Sequence, residues 1–207
     1  MKIVEVKDLP LAGAKLVFFA RIKDNRGYFT EIYRKSDFLD LAKSLDLEDF
    51  DFQQANESRS SAGVIRGFHF QYDPPLGKLI RLLYGRGVDM ALDVRPNSLT
   101  FGQVIMVDMV VEPDSATGQW IWLPPGLAHG NFYLADSAIE YFCNAPYNPD
   151  GEVGISPVDP DLDLSLCQGG LRKAFQDLLA KGPILSDKDK NGLSLRSWLA
   201  DSRRHKV

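Results

Sequence analysis

Between residues 51 and 144 the chain is broken into short runs, most of them rich in β-branched and aromatic residues and most closed by glycine or proline. The runs 51–57, 63–71, 78–84, 87–95, 103–112, 119–124, 128–134 and 138–144 read as strands. Pro74-Pro75, Gly85, Pro96-Asn97, Pro113-Asp114 and Pro124-Pro125 punctuate them. So many short strands at this spacing predict a mainly β architecture, a sandwich or jelly-roll barrel. In 87–95, Val88, Met90, Leu92 and Val94 alternate with Asp89, Ala91, Asp93 and Arg95, the pattern of a sheet with one buried face.

The flanks differ. Residues 13–20 and 27–33 have strand composition and are separated by the turn Asp24-Asn25-Arg26-Gly27. Residues 36–45 predict a short amphipathic helix, with Ser36 as cap and Phe38, Leu41, Ala42 and Leu45 at helical spacing. After Pro149 the chain turns loop-like and acidic to about 166. A helix is then expected from Leu171 to Ala180 behind Gly169-Gly170, and another from about Ser194 to Ser202. The expectation is one domain over 1–207, with a core at about 13–145 and short helices in a C-terminal extension at about 148–207.

Composition closes off several function classes. A net charge of -4 gives no reason to expect nucleic acid or an acidic membrane as partner. Two cysteines, Cys143 and Cys167, make no disulfide framework and stand beside no histidine in a metal-binding spacing. The apolar run from Leu16 to Ala20 is too short for a signal core or a membrane span. A soluble cytoplasmic protein is expected.

The chemistry centres on the histidines, of which there are three. Gly63-x5-His69 and Gly118-x5-Pro124-x-Gly126-x2-His129 share a frame, and the pair resembles the two signature stretches of the cupin jelly roll. Metal-binding cupins carry a second histidine two residues after the first and then a glutamate. Here position 71 is Gln71, no glutamate follows before Glu112, and His205 lies in a basic tail. A divalent metal usually takes three or four ligands, so none is expected. An imidazole without a metal suits general base catalysis, since its pKa lies near working pH. On a regular strand Arg66 and His69 would point to opposite faces; an irregularity at Gly67 would bring them to one.

Ordered stretches carry a more specific resemblance. They are Asp24–Glu31, Phe52–Ser58, Val64–Gln71, Gly77–Arg81, Asp93–Arg95, Ser98–Gly102, Leu123–Gly130 and Leu185–Asp189. Together they resemble the dTDP-4-dehydrorhamnose 3,5-epimerase family, cupin-type deoxysugar epimerases. The resemblance implies epimerisation at C3 and C5 of a nucleoside-diphosphate 4-keto-6-deoxyhexose, with no cofactor and no metal. It implies His69 as base, Asp189 as its carboxylate partner, Lys78 beside the developing enolate oxygen and Tyr141 as the acid. It implies substrate contacts at Arg26, Glu31, Gln54, Ala55, Asn56, Arg66, His129, Tyr147, Glu152 and Lys188, with Arg66 on the diphosphate and Tyr147 stacked on the base. It implies a homodimer in which exchange of the first strand pair lets Arg26 and Glu31 serve the neighbour's site.

Plainer roles stand beside these: Arg26 as a turn residue, Lys78 as a solvated strand end, Tyr141 as a core aromatic, Tyr147 as a loop aromatic. The alternatives in function are a 3- or 5-monoepimerase, an epimerase for a CDP- or GDP-linked sugar, a metal-dependent oxygenase and a non-catalytic sugar-nucleotide-binding cupin. Phe142 and Pro146 stand where the family often has lysine and tyrosine, its usual tryptophan is absent around 154–159, and 165–183 is longer than typical.

Overall fold

The computed structural model describes residues 2–44 and 51–207. All eight runs between 51 and 144 form strands: β5 (Gln54–Ser60), β6 (Ile65–Gln71), β7 (Lys78–Tyr84), β8 (Arg86–Asp93), β9 (Val104–Val110), β10 (Thr117–Leu123), β11 (Leu127–Tyr133) and β12 (Ser137–Cys143). Ahead of them lie β1 (Ile3–Asp8), β2 (Lys15–Ala20) and the hairpin of β3 (Ile22–Asp24) with β4 (Gly27–Phe29). The strand expected over 27–33 therefore stops at Phe29, and β1 was not foreseen. Helix α1 (Lys35–Ser44) matches the amphipathic segment, whose expected last residue, Leu45, lies outside the described residues.

Two antiparallel sheets face each other. One has the order β1-β2-β10-β7-β12-β5; the other is β13-β6-β11-β8-β9, where β13 (Glu152–Gly154) is a short edge strand. This is the expected jelly-roll arrangement. Ile80, Ala91, Ile105, Ile121, Leu127 and Ile139 pack between the sheets. Leu79, Trp120, Trp122, Val17 and Phe19 cover the outer face of the first sheet together with Phe38 of α1. No described helix is long and apolar enough to cross a membrane.

The alternation in 87–95 proved to be incompletely informative, because β8 is buried on both faces. Ala91 points between the sheets, while Val88, Met90, Leu92 and Val94 point outward into a second apolar layer. That layer is supplied by the C-terminal extension: α2 (Gly169–Lys181) contributes Leu171 and Phe175, and α4 (Leu195–Ala200) contributes Leu195 and Trp198. Asp89 and Asp93, polar in the alternation, are buried as well, each hydrogen-bonded. Asp93 accepts from Arg95, Ser98 and Thr100, which fixes the turn after β8.

The extension is stitched to the barrel by backbone bonds. Ile184 bridges Val64, and Leu193 bridges Ile155, both in parallel sense. Between those bridges lies α3 (Asp187–Lys190), a single turn that the hydrophobic pattern did not announce. The first bridge delivers α3 to the side of β6, where Asp189 accepts from the Gly67 N–H.

Candidate active site

Strand β6 is the element on which the site is built. Opposite it on β11, Asn131 pairs with Arg66 and His129 with His69, so three steps along β6 answer two along β11. The extra residue is Gly67, at φ 95°. Ile65, Phe68 and Phe70 face the outer apolar layer, whereas Arg66 and His69 both face the cavity. The bulge thus resolves the alternation conflict that the sequence posed. Glycine is required here: a Cβ at Gly67 would lie 2.5 Å from the His129 carbonyl oxygen.

The cavity between the sheets measures about 480 Å³. His69, Arg66, His129 and Asn131 line it from the five-stranded sheet; Gln54, Asn56, Ser58, Lys78, Ile139 and Tyr141 line it from the six-stranded one. Tyr147, Glu152, Lys188 and Asp189 rim it from the chain beyond β12. Eleven of the fourteen residues expected at the site are therefore together. Arg26, Glu31 and Ala55 are not among them within one chain. Ala55 alternates with Gln54 and Asn56 and turns its side chain to the opposite, exposed face of β5. Arg26 is paired with Asp24, and Glu31 with Arg34, both on or beside the hairpin and outside the cavity.

His69 Nε2 lies 2.6 Å from Asp189 Oδ1, with the N–H direction off the line to the oxygen. Burial pushes the Asp189 carboxyl up. The contact with His69, the Ser186 hydroxyl and the Gly67 N–H outweigh this and hold it below the usual carboxylate range. Ser186 caps α3, accepting from the Asp189 N–H and donating to Asp189 Oδ2 at 2.8 Å. Ser186 was not among the expected residues, although Ser-x-x-Asp is a capping pattern that the sequence displays.

His129 sits directly across the ladder from His69 and has a carboxylate of its own: its Nε2 is 2.8 Å from Asp89 Oδ2. Asp89, only 2% exposed, fixes the orientation of that ring. It escaped the sequence reading because the alternation placed it on a polar face rather than under a histidine. Among the described residues no group of three or more histidines, cysteines and carboxylates is arranged to hold a metal ion.

Lys78 reaches across from β7 to the His69 carbonyl, with Nζ 3.3 Å from the oxygen. Burial pushes its pKa down, against the pull of Cys143, Glu152 and Asp89. Burial likewise raises the pKa of the Tyr141 phenol, so it keeps its proton to a higher pH than an exposed tyrosine. The Tyr141 and His129 rings stand edge to face, with centroids 6.3 Å apart. Arg66 leans on β5, donating from Nε to Ser60 Oγ at 2.9 Å and from Nη2 to the Arg59 carbonyl at 3.1 Å.

At the rim, Glu152 pairs with Lys188 and accepts from the Tyr147 hydroxyl at 3.1 Å. Burial pushes Glu152 up, but Lys188 and the neighbouring His69 hold its carboxyl below the ordinary range. The arrangement offers an imidazole with a carboxylate behind it, a phenol on the facing sheet, an ammonium between them, and arginine and lysine toward the mouth. That set can remove a proton from carbon, stabilise an oxyanion, return a proton and hold a phosphate-bearing ligand.

Comparison with known proteins agrees. Residues 8–197 match the family model for dTDP-4-dehydrorhamnose 3,5-epimerase. The dTDP-4-dehydrorhamnose 3,5-epimerase of Methanothermobacter thermautotrophicus is 35% identical over 187 residues, covering 90% of this chain and 91% of that one. The dTDP-6-deoxy-D-glucose-3,5-epimerase of Legionella pneumophila, solved with dTDP-4-keto-L-rhamnose, superposes with a TM-score of 0.79 at 30% identity, covering 97% and 96% of the two chains. A 3'-monoepimerase from Streptomyces bikiniensis, solved with dTDP, gives a TM-score of 0.75 at 27% identity, covering 93% and 88%. By the extent of the family match and by these relatives alike, the chain belongs to the dTDP-4-dehydrorhamnose 3,5-epimerase family.

Proposed function

We propose that this protein inverts C3 and C5 of dTDP-4-dehydro-6-deoxy-D-glucose, giving dTDP-4-dehydro-L-rhamnose. The observation that carries this is the placement of His69 and Tyr141 on facing sheets of one cavity, with Lys78 spanning between the sheets. The C4 ketone acidifies the protons on C3 and C5. His69, its Nε2 turned to Asp189, removes a proton from one face through Nδ1, and Asp189 stabilises the imidazolium. The Lys78 ammonium stabilises the enolate oxygen. Tyr141 returns a proton from the other face, which inverts the carbon. Arg66 and Lys188 bind the diphosphate, Gln54, Asn56, His129 and Glu152 hold the sugar nucleotide, and Tyr147 stacks on the base.

Solvent exchange tests the assignment. In D2O the wild type is expected to give product carrying deuterium at both C3 and C5. Tyr141→Phe should still exchange these protons through His69 while forming inverted product at least about 10²-fold more slowly. Deuterium at a single carbon would replace this reading by monoepimerisation, which the likeness to the Streptomyces enzyme makes the second reading. Inversion by Tyr141→Phe at the wild-type rate would remove Tyr141 as the acid.

The pH profile tests Lys78. Its lowered pKa means that the ammonium loses its proton below the ordinary lysine range, and Tyr141 above the ordinary tyrosine range. We assign the alkaline fall in kcat to Lys78, whose proton loss burial eases while it hinders that of Tyr141. Lys78→Arg, always charged, should move that fall to higher pH; an unmoved fall would assign it elsewhere.

The active unit in this reading is a homodimer. The β3–β4 hairpin pairs only with itself among the described strands, and exposes Ile22, Tyr28 and Phe29. It carries Arg26 and Glu31 toward the cavity of a second copy, which accounts for their distance from their own. Sedimentation should show a dimer at micromolar concentration, and a fully active monomer would exclude this. The substrate class and the two free, buried cysteines suit a reducing cytoplasm.

A further inference from the structure

We infer that Gln71 is a positioning residue: it pins the loop that carries Tyr147 over the cavity, and so sets affinity for the nucleotide rather than the rate of proton transfer. This rests on the proposed role of Tyr147 at the base.

Gln71 ends β6, two residues beyond His69, and is 3% exposed. A buried primary amide must place two N–H groups and one carbonyl. Gln71 places all of them on backbone. Nε2 donates to the Pro74 carbonyl at 2.9 Å and to the Pro146 carbonyl at 3.1 Å; Oε1 accepts from the Asn148 N–H at 2.7 Å. Two of these bonds fall on the residues either side of Tyr147. The N–H of Tyr147 itself is taken by Gln54 Oε1 at 2.8 Å.

The loop needs such ties. It runs from the end of β12 at Cys143 to the start of β13 at Glu152, outside either ladder. The Tyr147 ring is 52% exposed, so packing does little to place it. Its direction is set by the backbone of 146–148 and by the bond of its hydroxyl to Glu152, and that backbone is held by the amides of Gln71 and Gln54. Gln71 is thus a rigid link from the strand bearing the base to the loop bearing the aromatic ring. Neither a hydrophobic residue nor a histidine could make all three bonds, since an amide alone of these offers two N–H donors and a carbonyl acceptor at this reach.

The test compares wild type, Gln71→Met, Gln71→Asn and Tyr147→Ala, each in the full-length protein. Met matches the length without the bonds; Asn keeps the amide but is one methylene too short, and covers the case in which Met does not fold. Thymidine diphosphate affinity, KM for the 4-keto sugar nucleotide and kcat are measured. For Gln71→Met, KM and the thymidine diphosphate Kd should both rise at least about tenfold, with kcat within threefold of wild type. In a Tyr147→Ala background the same substitution should change KM less than twofold, because its effect passes through the ring. An unchanged Kd and KM, a fall in kcat instead, or an undiminished effect without Tyr147 would each overturn the inference. Failure of the wild type to turn over the sugar nucleotide would count against the proposed reaction, while the thymidine diphosphate arm would still decide the role of Gln71.

Discussion

Replacing His69 by asparagine is expected to lower deuterium incorporation at C3 and C5 by about 10²–10⁴-fold, the contribution of a positioned general base. Asparagine keeps a polar, planar group near Asp189 but has no basic nitrogen. The ring is a quarter exposed and turned to the cavity, so its removal empties little of the core. Unfolding midpoints should therefore move little, and the thymidine diphosphate Kd should stay within about threefold, because the proton is removed from the sugar rather than from the nucleotide. Proton exchange in His69→Asn at the wild-type rate would show that the base lies elsewhere. His129 would then be the first residue to examine, since it faces the same cavity with Asp89 behind it.

The largest effect on stability is expected from Trp198→Ala, about 3–5 kcal/mol. Trp198 is fully buried, packs edge-on against Phe70 with ring centroids 5.0 Å apart, and donates from its indole N–H to the Val94 carbonyl at 2.8 Å. The substitution opens a void and leaves that carbonyl without its donor. For a chain of this size the loss corresponds to a fall in Tm of roughly 6–20 °C. Because Phe70 adjoins His69, and the same extension carries Asp189, activity should be lost at lower temperature as well. A cost below about 1 kcal/mol in denaturant unfolding would mean that the extension is not integral to the barrel.

What could be read before the fold was known follows physical lines. Strands from 51 to 144 announced themselves because β-branched runs and turn residues are local signals, and His69, Lys78 and Asp189 because short ordered motifs surround them, whereas Tyr141 stands in no such motif and came only with the family resemblance. The three-residue β13 and the single turn α3 have no periodicity to read, and their bonds reach across the chain: Asp189 meets the Gly67 N–H 122 positions away. Alternation in β8 suggested one buried face, since Asp89 and Asp93 read as solvent-facing when their partners, His129 and the Arg95–Thr100 turn, were out of view. Gln71 was legible only as the absence of a metal ligand; its three backbone bonds became visible with the loop in place. Arg26 and Glu31 lie outside the cavity within one chain, and only the proposed dimer would bring them to it.

The extra residue in β6 also has an arithmetic consequence. A strand is a binary counter, so Arg66 and His69, separated by an odd number of steps, can share a face only while one step is skipped. Removing Gly67 would leave two steps on each strand, so both side chains would stay on one face and the ladder with β11 would close regularly. What the extra residue supplies is then its own N–H, which donates to Asp189 Oδ1 at 3.3 Å, beside His69. The bulge thus adds a backbone donor to the site at the point where it adds a residue to the strand. A graft of these strands that straightened β6 would keep the faces of Arg66 and His69 and lose a donor to the carboxylate behind His69.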